Sequence, residues 1–359
     1  MNPARQRFWY PALAFVLVRE ELQMTAADFE RVHQEAIVID ATCPLMRRFD
    51  LIHWWIEGGT TAAAPSVGGG LDAGASLKYL GQWLELIARN PGYTLIERAS
   101  DIERAKAEGK FGIIFHFQGT TPIEDNIDLV NAWKKMGVGM IQLSYNVKNR
   151  VGDGCEERTD AGLSRFGLRL IERMNEQRVI VDCSHTGYRT TMEAIEASSR
   201  PAVFSHAGAK GVHKSMRNIQ DDQIKAVAAT GGLVGAVGYP AFVGPDPRPT
   251  LDQFIDHIAY MSDLVGTDHV GLGIDYFDGQ VPVAEPGYME KYYESLVSSG
   301  TWSPENYPPP PYYYPEGIET PQGFPNLTKR LLERGFTEED TKKIMGGNWV
   351  RVFREVWGG

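Results

Sequence analysis

Residues 178–187 read RVIVDCSHTG. Val179, Ile180 and Val181 have the length and β-branched content of a short buried strand. Asp182 and His185 stand where that strand must end. The design recurs along the chain: EAIVIDATC (35–43), GKFGIIFHFQG (109–119), GVGMIQLSYN (137–146), PAVFSHA (201–207), GGLVGAVGY (231–239) and HVGLGIDYF (269–277) are further short apolar runs. Between them lie stretches with apolar residues at helical spacing, among them IDLVNAWKKM (127–136), AGLSRFGLRLIERMNEQ (161–177), GYRTTMEAIEASS (187–199) and TLDQFIDHIAYMSDLVG (250–266). Short apolar strands that alternate with helices predict a parallel sheet covered by helices. An eighth strand is expected near Phe111 or in the N-terminal third. For a chain of 359 residues, the predicted fold class is α/β, a closed (β/α)8 TIM-like barrel, with an open doubly wound sheet as the second choice.

The composition is that of a globular protein, 43% hydrophobic and 23% charged. A formal net charge of −10 argues against a nucleic-acid partner, because phosphate binding needs a basic face. Cys43, Cys155 and Cys183 are too few and too dispersed for a disulfide framework or a cysteine-based zinc site. One pairing, of Cys155 with Cys183 or Cys43, stays open. Near the N-terminus, two arginines precede an apolar stretch from Phe8 to Val18. It is too short to span a bilayer and lacks the small-residue cleavage site of a secretory signal. The reading is a cytoplasmic protein without a transmembrane segment, periplasmic if that stretch acts as a signal. Residues 1–34 are read as an extension and helix, and 35–359 as one barrel domain. Residues 280–327, rich in Pro and Tyr, break the strand–helix rhythm as a long excursion. Such excursions serve as lids or oligomer contacts. Its aromatic residues Trp302, Tyr307, Tyr312, Tyr313 and Tyr314 are expected chiefly at oligomer contacts.

In a parallel barrel the functional groups sit at the C-terminal ends of strands. Those ends supply His116 and Gln118; Ser144, Tyr145 and Asn146; Asp182 and His185; Ser205 and His206; and Asp275 and Asp278. A single strand-end histidine is more often a hydrogen-bonded structural residue than a ligand. Two of them on neighbouring strands, His185 and His206, would lie side by side at one mouth. Neutral imidazole is a preferred ligand for zinc, catalytic zinc sites keep an open position, and a nearby carboxylate can act as general base. His33, His53, His213, His257 and His269 lack this placement. His257 is expected at a surface or boundary, and His269 at the wrong end of its strand. GGLVGAVG (231–238) does not fit a phosphate-binding loop.

VDCSH (181–185), AVFSHAGAK (202–210), MRNIQDDQI (216–224) and VGLGIDYFDG (270–279), in this order, resemble the membrane (renal-type) dipeptidases, peptidase family M19. The resemblance runs from about residue 35 to the C-terminus and includes NRVGDGCEERTDAGLSRFG (149–167) and KIMGGNWVRVF (343–353). It implies a metal-dependent hydrolase barrel with two zinc ions, usually homodimeric, that hydrolyses dipeptides and in some members β-lactams. It also implies that His185 and His206 are the histidines of one zinc site, that Asp275 handles the proton, and that Arg217 holds the substrate's carboxylate. The chain departs from the family pattern at three places. Thr42 and Pro44 stand where the first strand's His-x-Asp ligands belong, Gln118 replaces the bridging Glu, and Tyr145 replaces a histidine near the substrate carbonyl.

The expected function is therefore a divergent, dipeptidase-like metallohydrolase with one metal ion or an altered site, acting on a small carboxylate-bearing amide. The expected metal side chains are His185, His206, Gln118 and His116, with Asp275 and Tyr145 catalytic. Arg217, Tyr145, Asn146 and His53 are expected at the substrate. The alternatives are a lyase, decarboxylase or isomerase on the same scaffold, with Tyr145 as acid, and a catalytically silent binding relative.

Overall fold

The computed structural model describes residues 25–285 and 287–359. The apolar stretch from Phe8 to Val18 and most of the expected N-terminal extension lie outside them. Eleven strands are present among the described residues: β1 (Ile39–Asp40), β2 (Ala62–Ala63), β3 (Ser66–Gly68), β4 (Tyr93–Leu95), β5 (Phe111–Ile113), β6 (Phe115–Phe117), β7 (Val138–Gln142), β8 (Ile180–Asp182), β9 (Ala202–Ala207), β10 (Leu233–Ala236) and β11 (Val270–Leu272). Every pairing between them is parallel.

β2 and β3 occupy one wall position, as do β5 and β6, and β4 pairs with β5 outside the series. That leaves eight positions in chain order. The last is joined back to the first by Ala41 N–H to the Leu272 carbonyl (3.2 Å) and by Asp275 N–H to the Thr42 carbonyl (3.0 Å). The fold is the TIM-barrel-like α/β class expected. Its eighth position is Ala62–Gly68, in the N-terminal third.

Helices follow the strands where the sequence caps them. Ser164 Oγ accepts from Gly167 N–H at the start of helix Arg165–Glu176. Thr250 and Gln253 form a capping box on helix Leu251–Val265, which ends at Gly266. The C-terminal helix Asn348–Trp357 ties itself to the wall. Trp349 Nε1 donates to the Leu272 carbonyl, and Trp357 Nε1 to that of Gly139, each at 3.0 Å.

The wall also explains where the chemistry lies. Side chains two residues apart on a strand share a face. Ile114, Met140, Ile180 and Val203 belong to one buried apolar cluster with Trp349. One step further along each strand, that face carries His116, Gln142, Asp182 and Ser205, all fully buried. The apolar layer thus gives way to a polar one toward the strand ends.

Two expectations are corrected here. His257 is buried, not at a boundary: its ring accepts from Ala209 N–H (2.9 Å) and donates to the Val243 carbonyl (3.0 Å). The aromatic residues of the excursion are not left for a second chain. Trp302, Tyr307, Tyr312 and Tyr314 are buried within this one. Trp302 stacks on Tyr307 at 4.3 Å, and Tyr239 packs against Tyr307, Tyr312 and Tyr314. Their large apolar rings find a partner in the barrel mouth itself.

Candidate active site

Three residues at the strand ends hold left-handed backbone that only glycine adopts freely: Asn146 (φ 56°), His185 (φ 63°) and Asp275 (φ 63°). Such strain persists only where surrounding structure enforces it, and it clusters at functional sites. Asp40 supplies part of the enforcement. Its buried carboxylate accepts from Ile274 N–H and from Trp55 Nε1, each at 2.9 Å, pinning the turn that carries Asp275. The Tyr314 hydroxyl also donates to the Asp275 carbonyl.

The two histidines meet. His185 Nε2 lies 2.8 Å from His206 Nε2. The protons around them can be assigned from their partners. Asn146 Nδ2 donates to the Thr301 carbonyl (3.0 Å), which fixes the amide's orientation and presents its oxygen to His185 Nδ1 at 2.6 Å. His185 therefore donates from Nδ1. Ser205 Oγ lies 2.5 Å from Asp182 Oδ2, an acceptor, so its proton goes there. The Thr42 hydroxyl donates to the Ala41 carbonyl (2.8 Å). Both hydroxyl oxygens are then left to accept from His206 Nδ1, at 2.7 and 3.3 Å. His206 donates from Nδ1 as well.

Each neutral ring carries one N–H, so both Nε2 atoms present lone pairs to each other across 2.8 Å. Burial, then the Arg217 charge, hold both imidazoles well below their ordinary pKa. Something positive belongs in that gap. A proton fits it, but against the burial and the Arg217 charge. A metal ion is too large for the gap as it stands, since zinc–nitrogen bonds are about 2.0–2.1 Å long and the nitrogens are 2.8 Å apart; the rings would have to part slightly for their neutral nitrogens to serve as ligands.

Asp275 Oδ2 stands 3.9 Å from His206 Nε2. Burial pushes the Asp275 carboxyl up to about 7, against the pull of Arg217, with Asp40 raising it further and a hydrogen bond from the Gln118 side chain lowering it. A cation at the histidine pair would draw it back down. Among the described residues, no three His, Cys, Asp or Glu side chains converge as a ready-made ligand set. Thr42 spends its hydroxyl on Ala41 and His206, and Pro44 opens the short helix Pro44–Arg47. Cys43 is buried with its thiol on the Asp40 carbonyl (3.3 Å).

The structure gives several expected residues different partners. His116 Nε2 is held by Asp182 Oδ2 at 3.0 Å, so it supports the Asp182–Ser205–His206 chain from below instead of joining the pair. Asp182 accepts five hydrogen bonds in all, from Ser184 N–H and Oγ, Ser205 N–H and Oγ, and His116, which hold its carboxyl far below the usual range despite burial. Asn146 spends its side chain on His185 Nδ1, the Thr301 carbonyl and the Tyr307 hydroxyl. His53 is exposed, with Nδ1 on the Asp50 carbonyl (2.8 Å), and is not brought to the histidine pair.

Tyr145 stacks on the His185 ring at 4.0 Å, and its hydroxyl accepts from Trp302 Nε1 at 3.2 Å. Burial and the Asp275 charge push its phenol far up, so it keeps its proton and donates a hydrogen bond at most. Arg217 is buried, donates from Nε to the Tyr307 hydroxyl (3.0 Å), and has an unpartnered Nη2. It lines, with His185, Cys155 and Lys210, a cavity of about 180 Å³ between the loops that follow β7, β8 and β9. Tyr307 and Trp302 were not expected at the site. Tyr307 joins Arg217 to Asn146 (3.0 Å), and Trp302 joins Tyr145, so residues 301–307 cover the histidine pair. The visible signal was the aromatic density of the excursion.

The sequence profile described as membrane dipeptidase (peptidase family M19) matches residues 58–297 and 312–357. An uncharacterised dipeptidase of Schizosaccharomyces pombe is 32% identical over 241 residues, 66% of this chain and 51% of that protein; the match thus spans about half the relative's length. The crystal structure of an amidohydrolase from Pseudomonas aeruginosa superposes with a TM-score of 0.82 at 34% identity, over 92% of this chain and 99% of its own. The probable dipeptidase PvdM of the same organism superposes with a TM-score of 0.78 at 20% identity, over 92% and 98%, a likeness of fold. Among the described residues, no helix is long and apolar enough to cross a membrane.

Proposed function

The chain belongs to the membrane dipeptidase family, peptidase family M19, and from that premise we propose that it is a hydrolase of a small dipeptide-like amide that works with one divalent metal ion. The observation that carries this reading is the pair of Nε2 lone pairs facing each other across 2.8 Å. His185 and His206 would hold the ion, with Asp275 and the neutral Gln118 beside it. When bound there, a divalent ion supplies Lewis acidity toward a carbonyl and the means to ionise water near neutral pH.

The chain's own residues do the rest. Asp182, through Ser205, keeps the His206 proton on Nδ1, and Asn146 does the same for His185. Asp275, beside the pair and fixed by its strained backbone, takes the proton from the attacking water and returns it to the leaving amine. Arg217, with its unpartnered Nη2, pairs with the substrate's carboxylate in the adjoining cavity. The cover formed by Trp302 and Tyr307 keeps bulk water from the reacting atoms.

The test is turnover of a panel of dipeptides and N-acyl amino acids with zinc, manganese or cobalt supplied. The expected result is hydrolysis that needs a divalent ion and is lost in His206→Ala and Asp275→Asn. Failure to cleave any member of the panel with any of the three metals would overturn this reading.

A further inference from the structure

At the end of the barrel away from the histidine pair, a cavity of about 380 Å³ lies beside the starts of β7 and β8 and the end of the C-terminal helix. Three cations line it, Arg98, Lys134 and Arg178, against one acid, Glu97. Among the described residues none of the three cations has an ion-pair partner. Lys134 is half-buried, with its amine 5.3 Å from the centre of the Trp357 ring. Burial lowers that amine to about 8, and the Arg178 and Arg98 charges push the same way against the pull of Glu97. Positive charges crowd one another here with too little negative charge among them. Arg178 also holds its place against a conformational preference. It is the left-handed residue (φ 56°) that closes helix Arg165–Glu176, with its own N–H on the Asn175 carbonyl (3.2 Å) and Val179 N–H on that of Met174 (2.8 Å). Glycine is the usual residue in that turn, so the chain accepts backbone strain to set a guanidinium at the cavity. Gly358 and Gly359 line it with backbone alone, and a Cβ on Gly358 would stand 3.1 Å from Arg178 Nη1.

We propose that this cavity binds a small soluble molecule through a phosphate dianion held by Arg98, Lys134 and Arg178. Guanidinium and ammonium groups give charge-assisted hydrogen bonds to phosphate oxygens, and an arginine can give two in parallel. Three positive charges against one negative leave a surplus of two, which a phosphate monoester dianion cancels and a single carboxylate does not. The volume is in the range of small-molecule sites. The net charge of −10 disfavours a nucleic acid or an anionic membrane as the source of the phosphate. Trp357 packs its ring on Phe353 at 4.0 Å and carries the Lys134 amine, so recognition rests on the phosphate and not on a stacked base. Bound phosphate joins Arg98, helix Leu129–Lys135 and the Arg178 turn, and so stabilises the fold. The site stands at the opposite end of the strands from His185 and His206 and does not depend on the proposed chemistry.

Calorimetric titration of the full chain tests it, with inorganic phosphate and glycerol 3-phosphate as probes and the protein stripped of metal, so that the histidine pair cannot hold phosphate through an ion. The expected result is one equivalent bound per chain with a millimolar or lower Kd, and a rise in melting temperature. Arg178→Gly gives the turn its usual residue, so the fold is kept, and binding should weaken by about tenfold or more, the loss expected for one hydrogen bond to a charged partner. Lys134→Met keeps an unbranched stem beside Trp357 and should act alike. Glu97→Gln removes the opposing charge and should tighten binding. No binding of either probe at millimolar concentration overturns the proposal. So does binding that survives both Arg178→Gly and Lys134→Met, and so does binding lost in Arg217→Met instead, which would place the anion beside the histidine pair. Co-sedimentation with phosphatidate vesicles that is lost in Arg178→Gly, with no binding of the soluble probes, would overturn the soluble ligand in favour of a membrane surface.

Discussion

Replacing Asp182 by Asn keeps its shape and removes its charge, and it should damage stability and metal binding together. The carboxylate accepts five hydrogen bonds at 2.5–3.0 Å in a fully buried place. An amide can leave its oxygen toward Ser184 and the Ser205 N–H, but its nitrogen then faces two donors, Ser205 Oγ–H and His116 Nε2–H. Hydrogen bonds to a charged acceptor contribute about 1.5–3 kcal/mol each; Ser205 Oγ and the other tautomer of His116 can accept from the amide instead, so exchanging two charged bonds for neutral ones should cost roughly 1–3 kcal/mol. Urea unfolding of the metal-free protein reads that loss directly. The Ser205 proton, no longer held by a carboxylate, is free to turn toward His206 Nδ1. His206 then carries its own proton on Nε2, and the gap between the rings closes as an ordinary N–H···N bond. Metal affinity should fall about 10–100-fold, the usual effect of losing an outer partner of a ligand. A variant that is destabilised but binds zinc like the wild type in calorimetry would refute the proton assignment on which the site rests.

Other expectations follow from the same contacts. Gln118→Glu places a charge beside the histidine pair and should tighten zinc binding by at least about tenfold; an unchanged affinity would show that Gln118 does not approach the ion. Tyr307→Phe leaves the buried Arg217 Nε unpaired, so it should lower unfolding stability by about 1–3 kcal/mol, measured as a shift in urea midpoint. Burial lowers His257 from 6.5 to about 4. The unfolded chain takes up that proton as pH falls through 6.5 and the folded chain resists until about 4, so this group's contribution to stability is lost across that window, by about 3 kcal/mol at most. His257→Gln, which can accept from Ala209 and donate to Val243, should flatten the pH dependence between those values, and an unaltered slope would count against it.

The barrel was legible because its strands announce themselves. VIVD, AVFSH and VGLGID are β-branched runs that stop at polar residues, and each stop lies at the mouth. Ala62–Gly68 was not legible as a strand. Its sequence, AAAPSVG, has little β propensity, and its neighbours supply its register. His257 misled because a period of 3.6 places a residue on a helix face without saying how deep that face lies. The cover misled for a related reason: an aromatic cluster that buries itself on its own barrel has the same composition as one that meets a second chain. His185, His206 and Asp275 could be picked out from their strand ends. The protons on them could not, because Thr42, Asn146, Asp182 and Ser205 reach them from four different strands.

The central claim is that His185 and His206 together hold one cation. Metal content per chain decides it, measured by inductively coupled plasma mass spectrometry on protein purified without chelators and offered zinc, alongside His185→Ala. The account predicts close to one equivalent, lost in the variant. No metal in the wild type, two equivalents, or one equivalent that survives the loss of His185 would contradict it.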